Sequence, residues 1–170
     1  MKNITTKRGD TGITSLGDGT RVDKDNLRIE LNGELDELVA CLGLCRAACG
    51  QAEPYANVQH QLLGLMALVA KPVQPLSATD EAHIAEAVAL MEREISRCCQ
   101  TDEPFDFVLP GRDLTDAALH MARAKARTCE RRMVALAKTE PVAPAMLTYL
   151  NRLSDYLFAL AIGRKGEGTH

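Results

Sequence analysis

Tryptophan is absent from this 170-residue chain, which holds only three tyrosines and three phenylalanines. A core of aromatic plates is therefore excluded, and the 46% hydrophobic fraction must act through Leu, Ala, Val, Ile and Met, a mixture that suits helices. There is no basic excess either. A net charge of -3 leaves no electrostatic footprint for nucleic acid, and no polybasic run points to a membrane surface. Long hydrophobic runs are missing as well: the apolar stretch "LLGLMALVA" is far shorter than the roughly 20 residues a membrane-spanning helix needs. The opening "MKNITTKRGD" lacks the apolar core of a signal peptide. A cytoplasmic protein is expected, with neither nucleic acid nor membrane as partner.

Cysteine is the exception, with six residues. They sit inside amphipathic helical patterns rather than in the spacing of a disulfide framework. Cys41, Cys45 and Cys49 recur every four residues along one helix face, where an intrahelical pair would close almost no loop. They read as buried thiols or as part of a soft-metal site, although no His joins them and the two-residue gaps of zinc knuckles are absent. Adjacent Cys98 and Cys99 read as incidental thiols at a helix end.

Apolar spacing divides the rest into five helical stretches. Ile29, Leu35, Leu38, Leu42 and Leu44 mark a first helix that ends at Gly50. A second begins after Pro54 and stops at "KPVQP". A third starts near Thr79, read as its N-cap, and runs through "EAHIAEAVALMEREISRCC". After the loop "QTDEPFDFVLPGRD", Asp113 or Thr115 caps a long fourth helix. Pro141 and Pro144 separate it from a fifth, whose Leu147, Leu150, Leu153, Leu157 and Leu160 form one stripe. The pattern predicts an all-α fold, an up-and-down bundle of five helices in one domain. Residues 1–25 form an N-terminal segment, 26–163 the bundle and 164–170 a flexible tail.

Some polar residues break the bundle's logic. Arg123, Arg127 and Arg131 lie four apart on the fourth helix and make a basic stripe, read either as a solvated face or as one wall of a cleft. Asn151 and Asp155 flank the leucines of the fifth helix and are boundary residues or the opposite wall. Glu130 either orients an arginine through an ion pair or solubilises the helix. His60, His83 and His120 read as surface or boundary residues.

The stretch "TKRGDTGITSLGDGTRVDKD", residues Thr6 to Asp25, packs four glycines, four threonines, four aspartates and four basic residues together. It cannot bury itself, so it either extends into solvent or closes around something polar. Glycine amides, threonine hydroxyls, cationic side chains and an aspartate are the parts of a site for a polyphosphate and its cation. The order of glycines is neither that of a Walker loop nor that of a dinucleotide fold.

Four stretches in order, "TKRGDTGITSLGDGTRVDKDNLRIELNGELDEL", "FVLPG", "ARAKARTCERRMVAL" and "YLNRLSDYLFALA", resemble the signatures of PduO-type ATP:cob(I)alamin adenosyltransferases. The middle of the chain matches mainly in helical character. The resemblance implies a cobalamin adenosyltransferase-like five-helix bundle, a homotrimer with active sites between subunits, and transfer of the 5′-deoxyadenosyl group of ATP to reduced cobalamin with release of triphosphate. It places Thr6, Lys7, Gly9, Asp10, Gly12, Thr14, Ser15 and Lys24 around the phosphates in an N-terminal nucleotide-binding loop, with Mg2+ bridging phosphate oxygens. Without nucleotide this segment is expected to be mobile. Arg127 falls on the nucleotide-contacting, catalytic arginine, and Glu130 and Asn151 fall on further active-site positions. Arg123 and Asp36 are implied to pair across the subunit interface, and Phe107 to displace the lower base of cobalamin. Implied partners are an adenosylcobalamin-dependent enzyme or a flavoprotein reductase.

The chain departs from the family pattern at Thr128, where a second arginine is usual, at Arg112, where a second glycine is usual, and at Val39, where Asn is usual. The alternative reading on the same fold is a catalytically weak ATP- or cobalamin-binding protein or a cofactor-delivery protein. A structural bundle with a flexible leader is a further alternative.

Overall fold

Leucines spaced three or four apart organise the molecule, whose computed structural model describes residues 7, 9–71, 75–98 and 108–164. On helix α1 (Leu27–Cys49), Leu31, Leu35, Leu38, Leu42 and Cys45 are fully buried. On α5 (Pro144–Gly163), Leu150, Leu153 and Leu157 are buried in the same way. Each such side chain contributes about 1.5–3 kcal/mol of burial free energy, which drives the amphipathic helices together. Between them in sequence lie α2 (Tyr55–Val69), α3 (Ala78–Cys98) and α4 (Leu114–Ala137). Five helices were expected, and five are present among the described residues.

The main packing pairs are α2 with α1, α1 with α4, α4 with α5 and α5 with α3. Sequence neighbours α2 and α3 therefore end the series and face one another across a cleft. Ion pairs line the α1–α4 seam, with Arg132 Nη2 2.9 Å from Glu30 Oε1 and Lys125 bridging Glu34 and Glu37.

Helix ends follow local chemistry. Asn26 Oδ1 accepts from the Arg28 amide at 2.9 Å and opens α1, and Gly50, at φ +69°, closes it with its amide on the Arg46 carbonyl. Asp113 caps α4 by accepting from the Asp116 amide at 2.8 Å. The cap of α3 is Ser77 rather than Thr79. Ser77 Oγ accepts from the Asp80 amide at 3.1 Å and its hydroxyl donates to Asp80 Oδ2 at 2.6 Å, a reciprocal box that fixes the first turn. Thr79 lies inside that turn. At the other end of the bundle, Arg164 reaches Asp113 at 3.5 Å, while the rest of the tail, 165–170, lies outside the described residues.

The polar opening holds an element that helical periodicity did not foresee. Ile13–Ser15 (β1) pairs antiparallel with Arg21–Asp23 (β2), aligning Ile13 with Asp23, Thr14 with Val22 and Ser15 with Arg21. Gly19, at φ +92°, allows the reversal, and Asp18 locks it by accepting from the Thr20 amide and hydroxyl at 2.9 and 2.6 Å.

Candidate functional site

Beyond the two strands, the hairpin gathers the groups expected to bind an anion. The Lys24 amide donates to the Gly12 carbonyl at 2.9 Å, and the Gly12 amide to the Gly9 carbonyl at 3.3 Å. Gly12 takes φ +79°, a conformation that strains any side chain. At Gly9 the lack of a side chain leaves room for Lys24, since a Cβ there would stand 3.1 Å from Lys24 Nζ. The ammonium therefore lies over bare backbone. Asp10 joins this end through its amide, which donates to the Lys7 carbonyl at 3.4 Å. Thr14 and Ser15 follow on β1, with Arg21 Nη1 3.4 Å from Ser15 Oγ. Thr6 and Phe107 lie outside the described residues.

A second group forms where α4 meets α5. Asn151 Nδ2 donates to Glu130 Oε1 at 2.9 Å. Glu130 is thus held by an amide, and no ion pair joins it to the arginines among the described residues. The three arginines of the stripe differ in state. Arg131 Nη2 donates to Thr128 Oγ1 at 2.9 Å. Arg123 is half-buried with its guanidinium carbon 5.7 Å from the Phe158 ring centre, and its Nε is buried with no hydrogen bond. Arg127 is exposed and has no hydrogen bond or ion pair among the described residues. Arg123 and Asp36 do not pair within one chain; Asp36 is exposed on α1. No hydrogen bond or ion pair among the described residues joins the hairpin groups to Arg127, Glu130 or Asn151.

Three features elsewhere along α4 and α5 escaped the sequence reading. Phe158 packs edge-on against His120 with ring centres 6.2 Å apart, and so links His120 to Arg123. His120 is buried, contrary to its reading as a surface or boundary residue, because it falls on the inner face of α4 beside Ala118, Leu119 and Ala122. Burial pulls its imidazole below the usual range, the Asp116 carboxylate opposes, and Arg123 and Arg112 add to the lowering. The third feature is the Arg112 side chain. It donates to Asp116 Oδ1 from Nε and Nη2 at 3.0 and 2.6 Å and to the Ala161 carbonyl at 2.7 Å, tying the loop before α4 to the end of α5. Burial raises the Asp116 pKa, but the Arg112 side chain and the amides of Gly111 and Arg112 outweigh it and hold the carboxyl at about 2. The i,i+4 spacing of Arg112 and Asp116 was the available signal.

The cysteines fit the buried-thiol reading in part. Cys45 and Cys129 are fully buried, and burial pushes both thiols up to about 12, which suppresses thiolate chemistry. Cys41, Cys49 and Cys98 are half-buried, and all five are free thiols. No group of three or more His, Cys, Asp or Glu residues able to hold a metal occurs among the described residues. A cavity of about 410 Å3 in the α2–α3 cleft is lined by His60, His83 and Tyr149 among others and by none of the predicted site residues.

A helical bundle that carries a glycine- and lysine-bearing hairpin and, apart from it, an arginine near a fixed carboxylate–amide pair is the class this geometry defines. The sequence profile described as cobalamin adenosyltransferase matches residues 4–163, and the chain belongs to that family. It is 37% identical over 165 residues to a corrinoid adenosyltransferase of Citrobacter freundii, covering 95% of this chain and 94% of the relative. It is 40% identical over 164 residues to the corrinoid adenosyltransferase PduO of Salmonella typhimurium, covering 93% of this chain but 48% of that protein, so it spans about half of that relative's length. Among solved structures, it superposes with a TM-score of 0.84 and 28% identity on a variant PduO-type ATP:corrinoid adenosyltransferase from Lactobacillus reuteri complexed with cobalamin and ATP. That match covers 96% of this chain and 91% of the other. No helix among the described residues is long and apolar enough to cross a membrane.

Proposed function

We infer that this chain is an ATP:corrinoid adenosyltransferase, which joins the 5′ carbon of ATP to the cobalt of cob(I)alamin and releases triphosphate. The observation that carries the reading is the family match over residues 4–163, which takes in both the hairpin and the α4–α5 group. Cob(I)alamin is itself the nucleophile. Its electron pair forms the cobalt–carbon bond as the C5′–O5′ bond breaks, and the bonding pair leaves with the triphosphate. The protein needs no activated side chain. Its task is to hold C5′ in line with cobalt and to stabilise the charge collecting on the leaving group.

The residues divide accordingly. Lys7 and Lys24 neutralise phosphate charge, the backbone around Gly9 and Gly12 approaches closely, and Thr6, Thr14 and Ser15 donate hydroxyls. Mg2+ fits this end as a companion of the nucleotide rather than a resident ion, since the described residues offer no metal cluster and Asp10 supplies a single carboxylate. Arg127, which has no hydrogen bond or ion pair among the described residues, stabilises the departing triphosphate, and the Glu130–Asn151 pair presents a fixed acceptor to the nucleotide. Phe107 serves the corrinoid by displacing its lower base, because a four-coordinate cobalt is easier to reduce.

A homotrimer with sites between subunits accounts for the separation of the two groups within one chain. The hairpin of one subunit then meets α4 and α5 of the next, and Asp36 pairs with Arg123 across the boundary. Such an enzyme works in the cytoplasm, between a flavoprotein reductase that supplies reduced corrinoid and an adenosylcobalamin-dependent enzyme that takes up the product.

Anaerobic incubation with ATP and chemically reduced cobalamin tests the reading. The visible spectrum should change to that of adenosylcobalamin, and light should reverse it. Binding of both substrates without that change would leave only a carrier.

A further inference from the structure

The hairpin is fastened to the bundle at two places. At its base, β2 runs through Lys24 and Asp25 into the Asn26 cap of α1. At its tip, the Gly17 amide donates to the Ala70 carbonyl at 2.7 Å, the one hydrogen bond among the described residues that joins the hairpin to an element distant in sequence. The approach is tight: a Cβ on Gly17 would stand 3.2 Å from that oxygen, so a side chain there pushes the tip and Ala70 apart by a few tenths of an ångström. A ribbon of two three-residue strands has little stability of its own, so its orientation depends on both fastenings.

Ala70 lies just past the last turn of α2, where carbonyls have lost their helical partners. Arg28, in the first turn of α1, supplies partners on both sides of it. Its Nη1 donates to the Val69 carbonyl at 2.8 Å and the Lys71 carbonyl at 2.7 Å. Its Nε and Nη2 hold Glu140 Oε2, beyond the end of α4, at 2.7 and 2.6 Å. The side chain is 7% exposed, so this fork is enclosed. One guanidinium thus connects the helix that carries the base of the hairpin with the segment that receives its tip.

We propose that Arg28 is a positioning residue for nucleotide binding, which acts through Ala70 and Gly17 to hold the phosphate cradle of Gly9, Gly12 and Lys24 at its working angle. The proposal rests on the adenosyltransferase reading. It assigns Arg28 no contact with substrate; its effect passes through backbone carbonyls that only a planar, multidentate cation can grip together.

Steady-state kinetics of Gly17→Ala, Arg28→Met and their combination, with Lys24→Ala as a reference, provide the test. Losing the tip fastening should raise the ATP KM about tenfold, the scale set by one well-made hydrogen bond, and leave kcat and the corrinoid KM within about twofold. The double variant should show less than the product of the two single effects, because both act through one contact. A general loss of stability would not select the ATP KM. Should Arg28→Met fail to fold, Glu140→Gln loosens the same fork from its exposed side and should raise the ATP KM in the same selective way. An unchanged ATP KM in the folded anchor variants, with Lys24→Ala still raising it, overturns the role of Arg28. An unchanged ATP KM in Lys24→Ala as well would instead overturn the nucleotide reading of the hairpin.

Discussion

The hairpin carries its polar groups on largely exposed backbone fastened at two points, whereas α4 and α5 carry theirs on helices whose inner faces are sealed by Leu119, Ala122, Leu150 and Leu153. On the proposed reading the same substrate meets two kinds of surface. Groups on the hairpin can close over a triphosphate as it binds, at a cost of about 1–2 kcal/mol for each backbone residue that must be ordered. Groups on α4 and α5 are fixed beforehand: Glu130 is already held by Asn151, and Arg127 has no hydrogen bond or ion pair among the described residues. The adaptable surface suits capture, and the rigid one suits stabilisation of charge at the moment of bond breaking.

The comparison breaks most visibly at Arg127. Arg127→Ala should lower turnover by about a thousandfold, the loss expected for a donor aimed at developing charge. Its melting temperature and oligomeric state should not change, since the side chain is exposed. Near-normal turnover in the folded variant would remove Arg127 from the mechanism. Next in size is Leu150→Ala, a cavity in the seam beneath the rigid group. It should cost about 2–5 kcal/mol in denaturant unfolding while leaving the ATP KM of the folded fraction unchanged.

Acid titration sharpens the contrast, because the α4–α5 side holds buried titrating groups. Asp116, depressed to about 2, adds stability that is complete above its ordinary value of 3.8 and is lost as pH falls towards 2. Asp116→Asn should abolish that slope. His120 is also depressed, so the unfolded chain binds its proton more readily and stability falls as pH drops below the ordinary 6.5. Thermal melts between pH 7 and 5 should therefore flatten in His120→Gln. The smallest effect belongs to the hairpin: Lys24→Ala should raise the ATP KM about tenfold, as for one charge-assisted contact, with the corrinoid KM unchanged.

Legibility followed the same division. Helices announced themselves through repeating leucines and through punctuation at Gly50, Pro54, Asp113 and Pro144, because burial and capping are local or periodic. The cap of α3 slipped from Ser77 to Thr79 because both are good caps, and only the bond to Asp80 decides between them. The hairpin was legible as a polar site but not as a sheet, since three-residue strands carry no usable alternation. Glu130 and Asn151 were singled out separately; their pairing depends on how α4 meets α5, which no local pattern encodes. His120 was misplaced because a polar residue type was weighed above its helical phase. Arg28 gave no signal at all, since its partners, Val69, Lys71 and Glu140, are brought together only by the finished bundle.

The most direct test is a single turnover under anaerobic conditions in which the new cobalt–carbon bonds and the released phosphates are counted together. One intact triphosphate for each adenosylcobalamin, with both formed about a thousandfold more slowly by Arg127→Ala, is the predicted result. Release of ADP and orthophosphate, or consumption of ATP with no cobalt–carbon bond, would contradict the account.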